Sequence, residues 1–155
     1  MVGLLKLYAG LSHDEMAAAG RYIADKEIWP NRREAVVTEL QQYLDDGNRV
    51  IFVSGMFEPF LQGVMDKLPG VEGIGTQLIY EDGKFSGEMA GTFNRGTLKA
   101  NCLQPFLRDG RVLAAFGDTG SDIEMLSLAN RPVAVAPDKT LRQKAELQGW
   151  TIIEQ

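Results

Sequence analysis

The strongest constraint on this chain is the segment running from Val112-Leu113-Ala114-Ala115-Phe116 into Gly117-Asp118-Thr119-Gly120-Ser121-Asp122-Ile123-Glu124-Met125-Leu126. An unbroken apolar run that ends on glycine predicts a strand buried on both faces, the kind found in parallel sheets covered by helices. Residues 121–128 predict the helix that follows. Asp118 then stands at the carboxyl end of a strand, where open α/β sheets bind their ligands. A carboxylate there is a hard oxygen ligand for Mg²⁺, and Asp122 is placed to hold either a metal-bound water or a neighbouring lysine. Asp and Ser also cap helices, so the turn alone reads equally well as a cap.

The rest of the chain alternates in the same sense. Ser12-His13-Asp14-Glu15 is a capping box that predicts a helix to about Lys26. Pro30 and Asn31 open a second helix, in which Val36, Val37, Leu40, Tyr43 and Leu44 recur at helical spacing until Gly47 ends it. Strands are predicted over 49–54, 111–117, 132–136 and 150–154, and helices over 57–68, 96–108 and 139–148. A hairpin over 76–87 turns at Asp82-Gly83, with Gly70, Gly73 and Gly75 as turn residues around it. This order predicts an α/β fold with a doubly wound, parallel, Rossmann-like sheet.

Composition narrows the function classes. With 155 residues, 24% charged and 45% hydrophobic, and a formal charge of -5, the chain reads as one acidic soluble domain. Arg32-Arg33 is the only adjacent basic pair, so there is no stripe to track a nucleic-acid backbone. Cys102 is alone and reads as a buried thiol, which excludes an intramolecular disulfide. No basic leader and no membrane-length apolar run is evident, and the expected location is cytoplasmic. His13, the single histidine, reads as a solvent-facing helix residue with no metal or triad partner.

Two further segments stand in a telling order. Arg49-Val50-Ile51-Phe52-Val53-Ser54-Gly55 is a second apolar strand ending in Ser-Gly, and Gly96-Thr97-Leu98-Lys99 is a helix start carrying a lysine. Strand-Ser-Gly, then Lys, then strand-Gly-Asp-x-x-x-Asp resembles the haloacid dehalogenase-like superfamily, in particular its phosphoserine-phosphatase-like branch. The hairpin, Pro132-Val133-Ala134-Val135-Ala136-Pro137-Asp138 and the tail from Leu141-Arg142 to Gly149-Trp150 resemble that branch too, so nearly the whole chain is covered. Ser121 stands where the branch often has Asn, and Glu124 where it often has Pro. The resemblance implies a catalytic set of Lys99, Ser54 and Asp122. Ser54, Gly55 and Lys99 would receive the phosphate, and Asp118 and Asp122 would serve Mg²⁺. Each residue also has a plainer reading, as a strand terminator, an exposed helix lysine or a cap; their order along the chain is what carries the family.

One family element has no counterpart here. The family attacks phosphate with the first aspartate of an Asp-x-Asp motif on its first core strand, and no Asp-x-Asp occurs in these 155 residues. Asp45-Asp46 and Asp82 follow no apolar strand and cannot substitute. Asp14 and Glu58 are the carboxylates to test first should activity be found, whereas Lys84, just past the hairpin turn, reads as a surface residue. The opening Met1-Val2-Gly3-Leu4-Leu5 resembles the middle of the family's helical cap. The resemblance therefore implies a partial helical cap over 1–30 and a core over 31–155 that lacks its first strand.

In the family that strand is central, between the strands that end at Ser54 and Asp118, so its loss would leave two open ladder edges. The expected function is a phosphomonoester hydrolase of the phosphoserine-phosphatase-like type. It would act on a small phosphorylated metabolite through Mg²⁺ and an aspartyl-phosphate, be inactive alone and hold Mg²⁺ weakly. The alternative is a non-catalytic phosphate-binding or protein-interaction module on the same scaffold. Expected partners are a small phosphomonoester and either a second copy or a complementing strand, with no nucleic acid and no membrane.

Overall fold

A computed structural model describes residues 5–154; of the Met1-Val2-Gly3-Leu4-Leu5 opening only Leu5 falls within the described residues. The chain divides into two compact units, one up to Asn94 and one from Arg95 onward.

The first unit begins with α1 (His13–Ile23), set by the capping box: Glu15 N–H donates to Ser12 Oγ at 3.3 Å and Ser12 N–H donates to Glu15 Oε2 at 2.7 Å. The Ser12 amide and hydroxyl hold the Glu15 carboxyl below its ordinary range. The helix does not stop at Lys26 but passes into a π-helical turn over Ala24–Ile28. Pro30 lies in a 3-10 turn, Trp29–Asn31, and Arg32 and Arg33 are extended, so α2 (Glu34–Asp45) starts later than Pro30 predicts. Gly47 closes it at φ 78°, a conformation that only glycine adopts freely.

Strand β1 (Val50–Phe57) runs past the Ser-Gly at which the sequence ends it and pairs in parallel with β2 (Val71–Thr76). β2 corrects the reading of Gly73 and Gly75 as turn residues. Their missing side chains serve packing: a Cβ on Gly73 would collide with Met65 Sδ, and one on Gly75 would lie 2.9 Å from the Met56 carbonyl. α3 (Glu58–Met65) crosses α1 where backbone meets backbone, because a Cβ on Gly63 would sit 2.5 Å from the Gly20 carbonyl and one on Gly20 would collide with the Pro59 carbonyl. Gly20→Ala is therefore expected to destabilise by about 1–3 kcal/mol, although alanine is the better helix former. Urea melting measures this, and a variant as stable as the parent would contradict the close crossing.

The hairpin of β3 (Leu78–Glu81) and β4 (Lys84–Met89) turns at Asp82 and Gly83, with φ 49° and 75°. Two positive φ angles match the strand twist, as Asp-Gly predicts. Leu5, Met16 and Phe85 form this unit's buried centre, with Tyr8, Leu11, Phe57 and Phe60 packed around them. His13 is exposed and lies flat on Tyr80, ring centroids 3.6 Å apart. Lys84 is exposed, 3.8 Å from Glu15.

In the second unit, α4 (Thr97–Leu103) ends short of residue 108, because Pro105 lacks an N–H and the chain tightens into a 3-10 turn over Gln104–Phe106. Ala100 and Leu103 set its buried face, which leaves Cys102 half-buried rather than buried. Next come β5 (Val112–Gly117), a 3-10 turn (Gly120–Asp122), α5 (Ile123–Ser127), β6 (Ala129–Val135), α6 (Lys139–Gln148) and β7 (Thr151–Ile153). The three strands pair in parallel in the order β5-β6-β7. β6 starts before Pro132, which fits because the β7 ladder begins only at Val133. Ala115, Leu126, Ala129, Ala134, Leu141 and Ala145 form the core, each larger side chain contributing about 1.5–3 kcal/mol by leaving water.

The architecture is thus α/β with parallel sheets. Among the described residues β1 pairs with β2 alone and β5 with β6 alone, so each strand keeps one open edge. No helix of the described residues is long and apolar enough to cross a membrane.

Candidate active site

The site is built at the carboxyl end of β5. A Cβ on Gly117 would stand 2.6 Å from Asp122 Cβ, so glycine is what lets the chain fold back tightly enough to bring Asp122 under the strand end. The 118–122 turn then closes on itself. Asp122 Oδ2 accepts from the amides of Asp118 and Thr119, both at 3.1 Å, and from Thr119 Oγ1 at 3.2 Å. Thr119 Oγ1 also lies 2.8 Å from Ser121 Oγ.

Asp122 Oδ1 takes the remaining partner, Lys99 Nζ, at 2.5 Å. The residues are 23 apart in sequence, on α4 and after β5. Asp122 is 2% exposed and Lys99 15%, so the pair is shielded from water. A buried ion pair persists only where further hydrogen bonds satisfy its lone pairs, and the three other donors on this carboxylate meet that need. One of the three ammonium hydrogens points at Asp122, which leaves two for an anion. Asp122 thus holds the lysine and closes the turn at once.

Asp118 differs from its neighbour. Its residue is exposed, and its side chain has no hydrogen bond or ion pair among the described residues. Mg²⁺ takes about six oxygen ligands, several of them waters, and is held through one or two carboxylates together with substrate phosphate. Asp118 offers one, both oxygens of Asp122 already accept hydrogen bonds, and no group of three His, Cys, Asp or Glu side chains gathers among the described residues. The residues present do not by themselves make a Mg²⁺ site.

Ser54 and Gly55 belong to the first unit. The β1–β2 register breaks between Val53 and Phe57, so residues 54–56 bulge from the ladder opposite Gly75 alone. Ser54 Oγ accepts from the Met56 amide at 3.0 Å, and the Gly55 carbonyl accepts from Thr76 Oγ1 at 3.1 Å. Thr76, 1% exposed, also receives the Asn94 amide at 3.5 Å, while Asn94 Nδ2 donates to the Gly75 carbonyl at 2.9 Å. The bulge is therefore a braced loop; bulges of this kind re-aim side chains beside functional sites. Thr76 and Asn94 did not stand out in the sequence, since a threonine in a strand and an asparagine in a loop carry no local signal. Asp14 and Glu58 are both exposed.

The family model for haloacid dehalogenase-like hydrolases matches residues 2–127, most of the chain and all of the Ser54, Lys99 and Asp118 segments. The chain belongs to the haloacid dehalogenase-like hydrolase family. A phosphoserine phosphatase of Mycobacterium tuberculosis is 31% identical over 96% of this chain and 49% of its own length. A histidinol-phosphatase of Neisseria meningitidis is 28% identical over 94% of this chain and 69% of its own length. A crystal structure of a Bordetella pertussis protein shares the fold, with a TM-score of 0.83 at 24% identity over 98% of this chain and 71% of the other. The chain spans about half the length of the curated Mycobacterium relatives it matches.

Proposed function

We propose that this chain carries the charge-handling part of a phosphomonoester hydrolase acting on a small phosphorylated metabolite. The observation that carries the reading is the shielded Lys99–Asp122 pair under the end of β5. Phosphoryl transfer needs positive charge near the transferring oxygens, fixed in place before the reaction starts. Asp122 fixes the Lys99 ammonium, and two of its hydrogens remain for phosphate oxygens. From the resemblance, Ser54 and Gly55 are the first unit's candidates for phosphate binding, through a hydroxyl and a backbone N–H. Residues 1–30 are proposed to be cap and 31–155 core, and Asp118 to contribute one ligand to a weakly held Mg²⁺ that needs further ligands from elsewhere.

The nucleophile is the part these 155 residues do not contain, since no Asp-x-Asp occurs among them. In the proposed reaction an aspartate on a complementing strand attacks phosphorus, the P–O bond to the substrate alcohol breaks, and water later cleaves the aspartyl-phosphate. The open edge of β5 is suited to receive such a strand. The two named relatives act on different phosphomonoesters by their names, and what they share is the substrate class, a small phosphomonoester.

Inorganic phosphate tests the reading on the chain alone. Phosphate is expected to bind weakly, with ³¹P shift or calorimetric titration losing most of the signal in Lys99→Gln, a neutral variant that retains an amide donor for Asp122. Equal affinity in parent and variant would contradict it.

A further inference from the structure

A residue that the reading so far leaves unused touches the Asp118 turn from outside it. The chain leaves β6 through Ala136, at φ 41°, where a side chain is disfavoured, and then through Pro137. The Ala136 amide is nonetheless engaged, donating to the Ile153 carbonyl at 2.6 Å. Non-glycine residues in such conformations persist only where their surroundings over-determine them, and they gather at functional sites. The consequence is where the next residue lands. Asp138 N–H donates to the Asp118 carbonyl at 2.9 Å, and Asp138 Oδ2 accepts from the Gly120 amide at 2.9 Å.

Asp138 is also the N-cap of α6, with Oδ1 accepting from the Leu141 amide at 2.8 Å. Capping needs only one side-chain oxygen. The second oxygen reaches 18 residues back to Gly120, while the backbone of Asp138 secures Asp118 itself. Thr140, two residues into α6, stands 2.9 Å from where a Cβ on Gly120 would be, so the start of α6 packs directly on the turn. The Leu141 and Gly120 amides hold the Asp138 carboxyl below its ordinary range, as two charge-assisted bonds should.

We infer that Asp138 is a positioning residue: one of its carboxylate oxygens caps α6 while the other clamps the turn that presents Asp118. Together with its backbone bond, the clamp holds the Asp118 carbonyl and the Gly120 amide, groups that Asp122 does not engage. The catalytic meaning of the clamp rests on the hydrolase reading, but the clamp itself does not.

Asp138→Ser separates the two roles, because serine is nearly as good an N-cap as aspartate yet has a single oxygen. In the 155-residue chain, amide exchange of Gly120 is expected to accelerate roughly tenfold while that of Leu141 stays within a factor of about two, and the Gly120 amide proton should move upfield. Asp138→Ala should release both amides. Unchanged Gly120 exchange in Asp138→Ser, or equal loss at Gly120 and Leu141, would overturn the clamp. When the chain is complemented by a strand bearing Asp-x-Asp, Asp138→Ser is expected to lower kcat roughly tenfold with KM unchanged. An unaltered kcat there would overturn the positioning role. Absence of turnover in the complemented parent would instead sink the hydrolase reading and leave the exchange result to decide the clamp.

Discussion

Asp122→Ala is expected to destabilise the second unit by about 3–5 kcal/mol, the range for removing one partner of a buried ion pair. The loss has two sources. Lys99, only 15% exposed, is left with a shielded and uncompensated charge, and the amides of Asp118 and Thr119 lose the acceptor that closes their turn. Against a total stability of roughly 5–15 kcal/mol for a domain, that is a large fraction. Lys99→Met should cost less, because Asp122 keeps three of its four donors. The double variant Lys99→Met, Asp122→Ala should be less unstable than the two losses added together, since no buried charge remains without a partner. Denaturant melts of the four proteins give the coupling directly. A loss below about 1 kcal/mol in Asp122→Ala would mean that the pair behaves as a solvent-screened surface bridge.

What could be read from the sequence was whatever local chemistry decides. Ser12 with Glu15 wrote the start of α1, and Asp82-Gly83 wrote the hairpin turn, because each pattern satisfies backbone groups or φ angles within four residues. The apolar run into Gly117-Asp118 likewise placed the site at the end of β5. β2 was illegible for the opposite reason: Gly73 and Gly75 sit in a strand because Met65 and the Met56 carbonyl press against them, a demand imposed by packing across the fold. The helix expected over 96–108 stops at Leu103, because Pro105 draws the chain into a 3-10 turn although Phe106 and Leu107 are apolar. At the site, resemblance named Lys99 and Asp122 together, but the sequence could not say that Asp122 would give one oxygen to the lysine and the other to the turn. Asp138 was visible only as part of a family-like segment; its second bond spans 18 residues and follows from the left-handed kink at Ala136.

The largest effect expected of this chain is on turnover. Groups that act as a unit lose roughly 10⁴–10⁶ in rate when one is removed, and the nucleophile belongs to such a unit. The 155 residues alone should therefore hydrolyse an aryl phosphate no faster than an Asp118→Asn control. The decisive measurement is turnover with Mg²⁺ when the chain is mixed with a segment supplying an apolar strand that ends in Asp-x-Asp. Turnover is expected to appear on mixing, to vanish when the first aspartate of that segment is replaced by asparagine, and to fall at least a hundredfold with Lys99→Gln. Turnover by the chain alone above the Asp118→Asn control, or a complemented assembly indifferent to Lys99→Gln, would contradict it.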